Sequence, residues 1–447
     1  MAGPTVSAAP SSRPAGTGPT TRSVGTGPTT RSALILLASL FFMWGFITVL
    51  NDILVPHLKA VFDLDYTRSM LIQFVWFIAY FAASLPAAKL LQKFGYKTSM
   101  VIGLLIMAAG ALGLIPSSQL VSFGLFLAAL FVLGCGVALL QVAANPYVAV
   151  IGPAETAPAR LNLVQAMNSA GTMIAPLFGS ALILGRSTSG TTAGGGTAIL
   201  SQSQRLSDAQ SVQLPYLGIV VVLILLAIVI GRFKLPALGA ATGRVAGAER
   251  QSHSLWRHRN LVFGIPAIFI YLIAEIGVGS LMISFITRPE IGNLTPKDAG
   301  TYLTLLWGGM MVGRFIGSAL LSRISAHTLL ALASIGAFAL IMTAVMTTGH
   351  VAMWALVLVG LFHSIMFPTI FTLGIRGLGP LTEEGSGLLI MAIAGGALAT
   401  GQGWIADHVG LQLSFLLPAA CELYVLFYAL WGSRTTNAFV DQAAVEA

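Results

Sequence analysis

The sequence predicts an all-α membrane protein of twelve transmembrane helices arranged as two six-helix bundles, and three observations carry that expectation. Of 447 residues, 56% are hydrophobic and only 9% charged, against roughly a quarter charged in an ordinary soluble domain; no water-soluble surface can be built from that. Twelve apolar runs near the roughly 20 residues needed to cross a bilayer fall six on each side of one basic interruption. The two sets also repeat each other. Asn145-Pro146 interrupts the fourth run and Phe367-Pro368 the tenth, 222 residues apart (368 minus 146), each followed by a polar loop with an acid (Glu155, or Glu383 and Glu384) and a glycine-containing helix. Such internal repetition is what a transporter built from two halves shows.

Residues 1–32 contain no apolar stretch and hold GTGPTTRS twice, which predicts a disordered cytoplasmic tail. No short apolar core of a secretory signal occurs there, and the run from Ala33 to Val55 is long enough to span and has no obvious cleavage site. The N-terminal bundle, 33–232, has spans at 33–55, 70–91, 99–116, 121–150, 161–185 and 214–232. Its polar insertion from Arg186 to Gln213, rich in Gly, Ser and Thr, predicts a flexible loop on the opposite face from the tail. Residues 233–260, with Lys234, Arg244, Arg250, Arg257 and Arg259, and Arg232 at the edge, read as a cytoplasmic linker. The C-terminal bundle, 261–432, has spans at 261–286, 300–322, 327–347, 351–375, 386–406 and 411–432, and 433–447 form a second cytoplasmic tail.

Alternate segments set the orientation, because Lys and Arg accumulate on the cytoplasmic side. With the N-terminus inside, 17 of 23 basic residues fall on that side, Arg314 counted among them. The net charge of +8 is thereby assigned to loops rather than to nucleic acid, which is excluded as a partner. Cys135 and Cys421 lie inside apolar runs and read as small packing residues. No phosphate loop, zinc pattern, hydrolase elbow or dinucleotide fingerprint stands at a credible position, so no cofactor, metal or enzymatic activity is expected. Asn293-Leu294-Thr295 matches a glycosylation acceptor, a weak three-residue signal.

An ionised side chain inside lipid needs a reason. Three acids qualify: Asp52 late in span 1, Glu275 in span 7 one turn after Tyr271, and Glu422 in span 12. Asp52 and Glu275 are candidate proton acceptors or sugar-hydroxyl ligands; the alternatives are an interfacial helix-end residue for Asp52 and a protonated, hydrogen-bonded acid for Glu275. For Glu422 the structural alternative weighs more. Gln141 and Asn145 are four apart on span 4, and Gln165 and Asn168 three apart on span 5, so each pair shares a helical face. Amides donate and accept, which suits neutral hydroxyl-bearing ligands. With Asn51 and Gln73 they make six uncharged hydrogen-bonding side chains from spans 1, 2, 4 and 5, read as a cavity lining, with interhelical bonding as the alternative. The second half offers Tyr271, Trp307, His363 and Phe367, a surface for stacking on a sugar ring. His363 could titrate, bind sugar or be a satisfied core histidine.

Several stretches resemble the fucose permease family, the fucose/galactose/glucose:proton symporters of the major facilitator superfamily: FFMWGFITVLNDILVPHL (41–58), LLQKFGYK (90–97), LLQVAANPYVAVIG (139–152), RLNLVQAMNSAG (160–171), GRFIGSALLSRIS (313–325), SIMFPTIFTLGI (364–375) and GSGLLIMAIAGGA (385–397). The run ANPYV followed by RLNLVQAMN is specific to that family. The resemblance implies the major facilitator fold, a sugar site at the bilayer midplane, alternating access and a home in the bacterial inner membrane. It implies that Asp52 handles proton and sugar, and that this chain departs from the fucose permeases in carrying Gln141 where they have an acid. Gln92 stands where the superfamily's loop motif has an acid, and His363 where many members have Asn. The expectation is a monomeric carrier in the lipid bilayer that moves a neutral monosaccharide, a hexose such as glucose or galactose, or fucose, by proton symport. A sugar uniporter, or a non-transporting sensor of the same fold, is the alternative.

Overall fold

The computed structural model describes residues 28–62, 66–120, 122–179, 213–236 and 254–435. The expected N-terminal tail, the insertion after span 5, most of the linker and the C-terminal tail lie outside these residues, as do the side chains of Asn51 and Asp52, although the helix that carries them is described.

The described chain is helical and holds no strand. Nine stretches are long and apolar enough to cross a membrane, one of them the 47 residues Leu71–Ser117, which contains two of the expected spans, and Tyr216–Arg232 is a shorter apolar helix. Span 1 is Pro28–Phe62, and spans 2 and 3 run together over Tyr66–Gln119. They are parted at Gly95, whose φ of 75° is a backbone state that glycine adopts without steric cost. Spans 4, 5 and 6 are Phe123–Val150, Ala157–Gly179 and Gln213–Arg232. Spans 7, 8 and 9 follow as Arg259–Ile286, Pro296–Leu320 and Ala326–Met346. Span 10 is broken into Gly349–His363 and Met366–Ile375. Span 11 passes from Thr382–Met391 through a tighter 3₁₀ segment, Ala392–Ala399, to Thr400–Val409. Span 12 is Leu416–Phe427 with a widened turn to Gly432. The glycosylation-like tripeptide does a local job: Thr295 caps span 8, its Oγ1 accepting from the Asp298 backbone N–H at 3.2 Å.

Spans 2 and 3 pack on 4 and 6, and span 1 on 5; spans 7, 9, 10, 11 and 12 pack among themselves, with 8 against 10. Small residues let backbones meet. A Cβ at Gly45 would strike the Asn168 carbonyl, and one at Gly171 the Phe42 carbonyl, so spans 1 and 5 are in backbone contact. Between the halves, span 5 meets spans 8 and 10, and span 11 meets spans 2 and 4.

The paired prolines explain part of that meeting. Proline has no N–H, so the carbonyl four residues earlier loses its helical donor. For Pro146 that carbonyl is Val142, which accepts from Ser386 Oγ of span 11 at 3.1 Å. For Pro368 it is Ser364, which accepts from Arg314 Nε of span 8 at 3.1 Å. The neighbouring His363 carbonyl accepts from the Tyr271 hydroxyl at 2.8 Å. Further bonds join the halves toward one face. Gln92 Nε2 donates to Glu384 Oε1 at 2.9 Å, Ser318 Oγ to the Ala159 carbonyl at 2.8 Å, and Asn162 Nδ2 to Thr369 Oγ1 at 3.5 Å. The start of the linker and the end of span 12 are held there too: Tyr147 Oη donates to the Pro236 carbonyl, and His327 Nδ1 meets Ser433 Oγ at 2.7 Å.

Candidate functional site

Where the two sets of helices face each other lies a cavity of about 250 Å³, just under the roughly 300–1,000 Å³ of drug-sized pockets and suited to one small molecule. Span 1 contributes Trp44, Gly45 and Thr48, and span 2 Gln73, Trp76, Phe77 and Tyr80. Gln141 comes from span 4, and Gln165, Asn168 and Thr172 from span 5. The other half supplies Leu272, Glu275 and Ile276 from span 7, Arg314 from span 8, Phe367 from span 10 and Ile393 from span 11.

Helical spacing puts the amides there and their neighbours fix them. Gln141 Nε2 donates to the Tyr80 hydroxyl at 2.6 Å. Asn168 Nδ2 donates to the Phe41 carbonyl at 3.0 Å, across the close contact of spans 1 and 5. Gln165 Nε2 lies 3.4 Å from Asn145 Oδ1. Asn145 is fully buried, its Nδ2 has no partner among the described residues, and it stands behind Gln165 instead of on the cavity wall.

Three other residues expected on the wall are also placed elsewhere, each for a packing reason. Tyr271 is fully buried because its hydroxyl serves the broken turn of span 10. His363 turns away from the cavity to bond Glu422, with Nε2 2.9 Å from Oε1. Trp307 packs its ring on the bare backbone of Gly279, 3.0 Å from where a Cβ would stand. Glu275 and Gln73 line the cavity; the side chains of Asn51 and Asp52 lie outside the described residues.

Arg314 corrects the charge reading. It was counted with the cytoplasmic cations, yet it is 9% exposed in the cavity wall; removing it leaves 16 of 23 on that side (17 minus 1). Its Nε holds Ser364 of one half, while Nη1 donates to the Gln165 carbonyl at 3.1 Å and to Ser169 Oγ of the other. Glu275 is its electrostatic neighbour. The described wall therefore carries one acid, one base, four amides (Gln73, Gln141, Gln165 and Asn168) and five aromatic rings (Trp44, Trp76, Phe77, Tyr80 and Phe367). Amides and rings of this kind hold hydroxyls and the apolar face of a ring, and the balanced charge fits a neutral ligand. Tyr80, Trp44, Trp76 and Arg314 are wall residues that composition and spacing did not single out; an aromatic residue in an apolar run looks the same whether it faces lipid, core or cavity.

Residues 34–401 match the family model described as Major Facilitator Superfamily. A glucose/galactose transporter of Brucella abortus is 46% identical over 90% of this chain and 94% of its own length. The L-fucose-proton symporter of Escherichia coli is 36% identical over 90% and 93%. The crystal structure of a fucose transporter, FucP, in the outward conformation superposes with a TM-score of 0.81 at 34% identity, covering 91% of this chain and 100% of that one. A match over this much of the chain, with this fold and a cavity between its halves, settles the family: the chain is a membrane-spanning transporter and not an enzyme, and it belongs to the major facilitator superfamily, in the fucose permease family that its sequence motifs resemble.

Proposed function

We propose that the protein carries a neutral hexose, glucose or galactose, across the bacterial plasma membrane together with a proton. The observation that carries this reading is the cavity, where Gln141, Gln165 and Asn168 of one half face Glu275 and Arg314 of the other. The names of the glucose/galactose and fucose–proton relatives support the substrate class and the coupling. The two halves, 33–232 and 261–432, rock about the cavity while 233–260 tether them, both termini lie in the cytoplasm, and the carrier works as a monomer. Glu275 is one proton carrier, because it is an acid on the wall beside an arginine. Asp52 is the other, on the strength of the NDIL motif at residues 51–54.

Counterflow of labelled sugars in proteoliposomes tests the substrate, and the expected order puts glucose and galactose ahead of fucose. Wild-type vesicles should accumulate sugar when a pH gradient is imposed. Asp52→Asn should abolish that accumulation while sparing exchange, because exchange needs the cavity and no net proton movement. Gln141 supplies the second reading. With a neutral amide at that position, a uniporter is what remains if wild-type vesicles only equilibrate sugar and ignore the gradient.

A further inference from the structure

Behind the cavity wall the C-terminal half holds an acid and an imidazole that the transport reading does not use. Glu422 is 0% exposed and His363 2%, and Nε2 of one lies 2.9 Å from Oε1 of the other. An isolated carboxylate in hydrocarbon is costly, but a His–Glu pair sharing one proton is neutral overall, whichever atom holds it. The pair can also take a second proton. Ser334 Oγ of span 9 gives its own hydrogen to the Glu422 main-chain carbonyl at 2.5 Å and sits 3.4 Å from Glu422 Oε2. Its lone pairs can thus accept from a protonated Oε2. Both charge states find hydrogen bonds, which a site that loads and unloads protons requires.

The pair is not isolated from the cavity. The Tyr271 ring stands edge-on to the His363 imidazole, centroids 5.6 Å apart. Tyr271 interacts electrostatically with Glu275, Arg314 and Glu422. The titratable or charged groups around the pair are thus Tyr271 and Glu275 from span 7, Arg314 from span 8 and Cys421 beside Glu422 on span 12; span 9 brings the Ser334 hydroxyl. In so dry a region a change of one charge is felt at Glu275.

We propose that His363 and Glu422 form a second proton-binding site, buried inside the C-terminal half, whose loading sets the charge felt by Glu275 and hence the pH dependence of sugar binding. On loading, a proton adds at Glu422 Oε2 while His363 holds the shared one as imidazolium, and the pair gains one positive charge; unloading reverses both. That charge favours the Glu275 carboxylate, so the two sites load in sequence. The place of the site in a transport cycle rests on the symport reading; its proton chemistry does not.

The test uses the full chain in proteoliposomes, with counterflow of glucose and galactose followed between about pH 5 and 9. Glu422→Gln and His363→Gln should each keep counterflow at one pH within about twofold, shift the pH profile of apparent affinity by about one unit, and cut gradient-driven accumulation about tenfold. The double variant should be no worse than either single one, because both remove one site. Ser334→Ala, which leaves the pair bonded and removes the Oε2 acceptor, should move the profile in the same direction and guards against misfolding of the others. Profiles and accumulation unchanged in all of these would overturn the proposal. Infrared difference spectra decide the pair even if wild-type uptake ignores a pH gradient, the outcome that defeats the symport reading. A carboxyl band that titrates in the wild type, is absent in Glu422→Gln and moves in Glu422→Asp supports the site. A band that does not change with pH overturns it.

Discussion

Arg314 stands inside an apolar run, and a lone cation there reads as one of the charges that orient a membrane protein, because long basic side chains reach the interface from helix ends. Only packing shows that its fork is turned inward, onto a carbonyl freed by Pro368 and onto span 5. The amides were more legible. Gln165 and Asn168 sit on one face at helical spacing and share a cavity with Gln141. Asn145 obeys the same spacing but lies one layer deeper, since four residues along a helix set a face and not a depth. This difference predicts an order of effects. Gln141→Ala, Gln165→Ala and Asn168→Ala each remove a wall partner and should weaken sugar binding by about 1–3 kcal/mol, roughly ten- to a hundredfold in counterflow competition. Asn145→Ala removes only the support of Gln165 and should cost less than any of them. A larger loss at Asn145 than at Gln165 would reverse the assignment of wall and backing.

The proline breaks of spans 4 and 10 are visible in the sequence as a repeat, whereas their use is not. A proline announces a carbonyl without a donor, but the donor that arrives comes from a distant segment: Ser386 for Val142, Arg314 for Ser364. Ser386 is fully buried and spans the two halves, so its bond exists only while they are closed at that point. Ser386→Ala should leave the Val142 carbonyl unpaired in the closed arrangement and free to meet water when the halves part. A buried unpaired carbonyl costs about 1–3 kcal/mol, so the closed population should fall about five- to a hundredfold relative to the open one. The measurement is the alkylation rate of a cysteine placed at Ala159, which lies under the Ser318 bond, in a background with Cys135 and Cys421 replaced by alanine. The rate should rise in the Ser386→Ala variant, and an unchanged rate would mean the bond does not bias the equilibrium.

At the scale of the molecule the helices, their order and their basic interruption follow from composition and hydropathy, because lipid admits little else. How the halves lean on each other does not follow, since each joining bond pairs residues far apart in sequence, 292 apart for Gln92 and Glu384. These bonds lie toward the face where the linker begins and span 12 ends, and the proposed rocking of the halves is an alternating cycle that opens that face. Such a cycle must break every one of them. Cysteines replacing Gln92 and Glu384, in a chain lacking Cys135 and Cys421, can be joined by a short bis-methanethiosulfonate linker, since the native side chains already meet at 2.9 Å. The linked protein cannot part its halves on that face. Sugar uptake should fall about tenfold or more and return on reduction. Topology is checked in the same vesicles: a cysteine at Ser252 should react only with reagents that reach the cytoplasm, and one at Thr191 only from outside. Linked protein that transports at the unlinked rate would show that these contacts do not separate during the cycle, and the rocking of two halves about Gln165 and Arg314 would have to be abandoned.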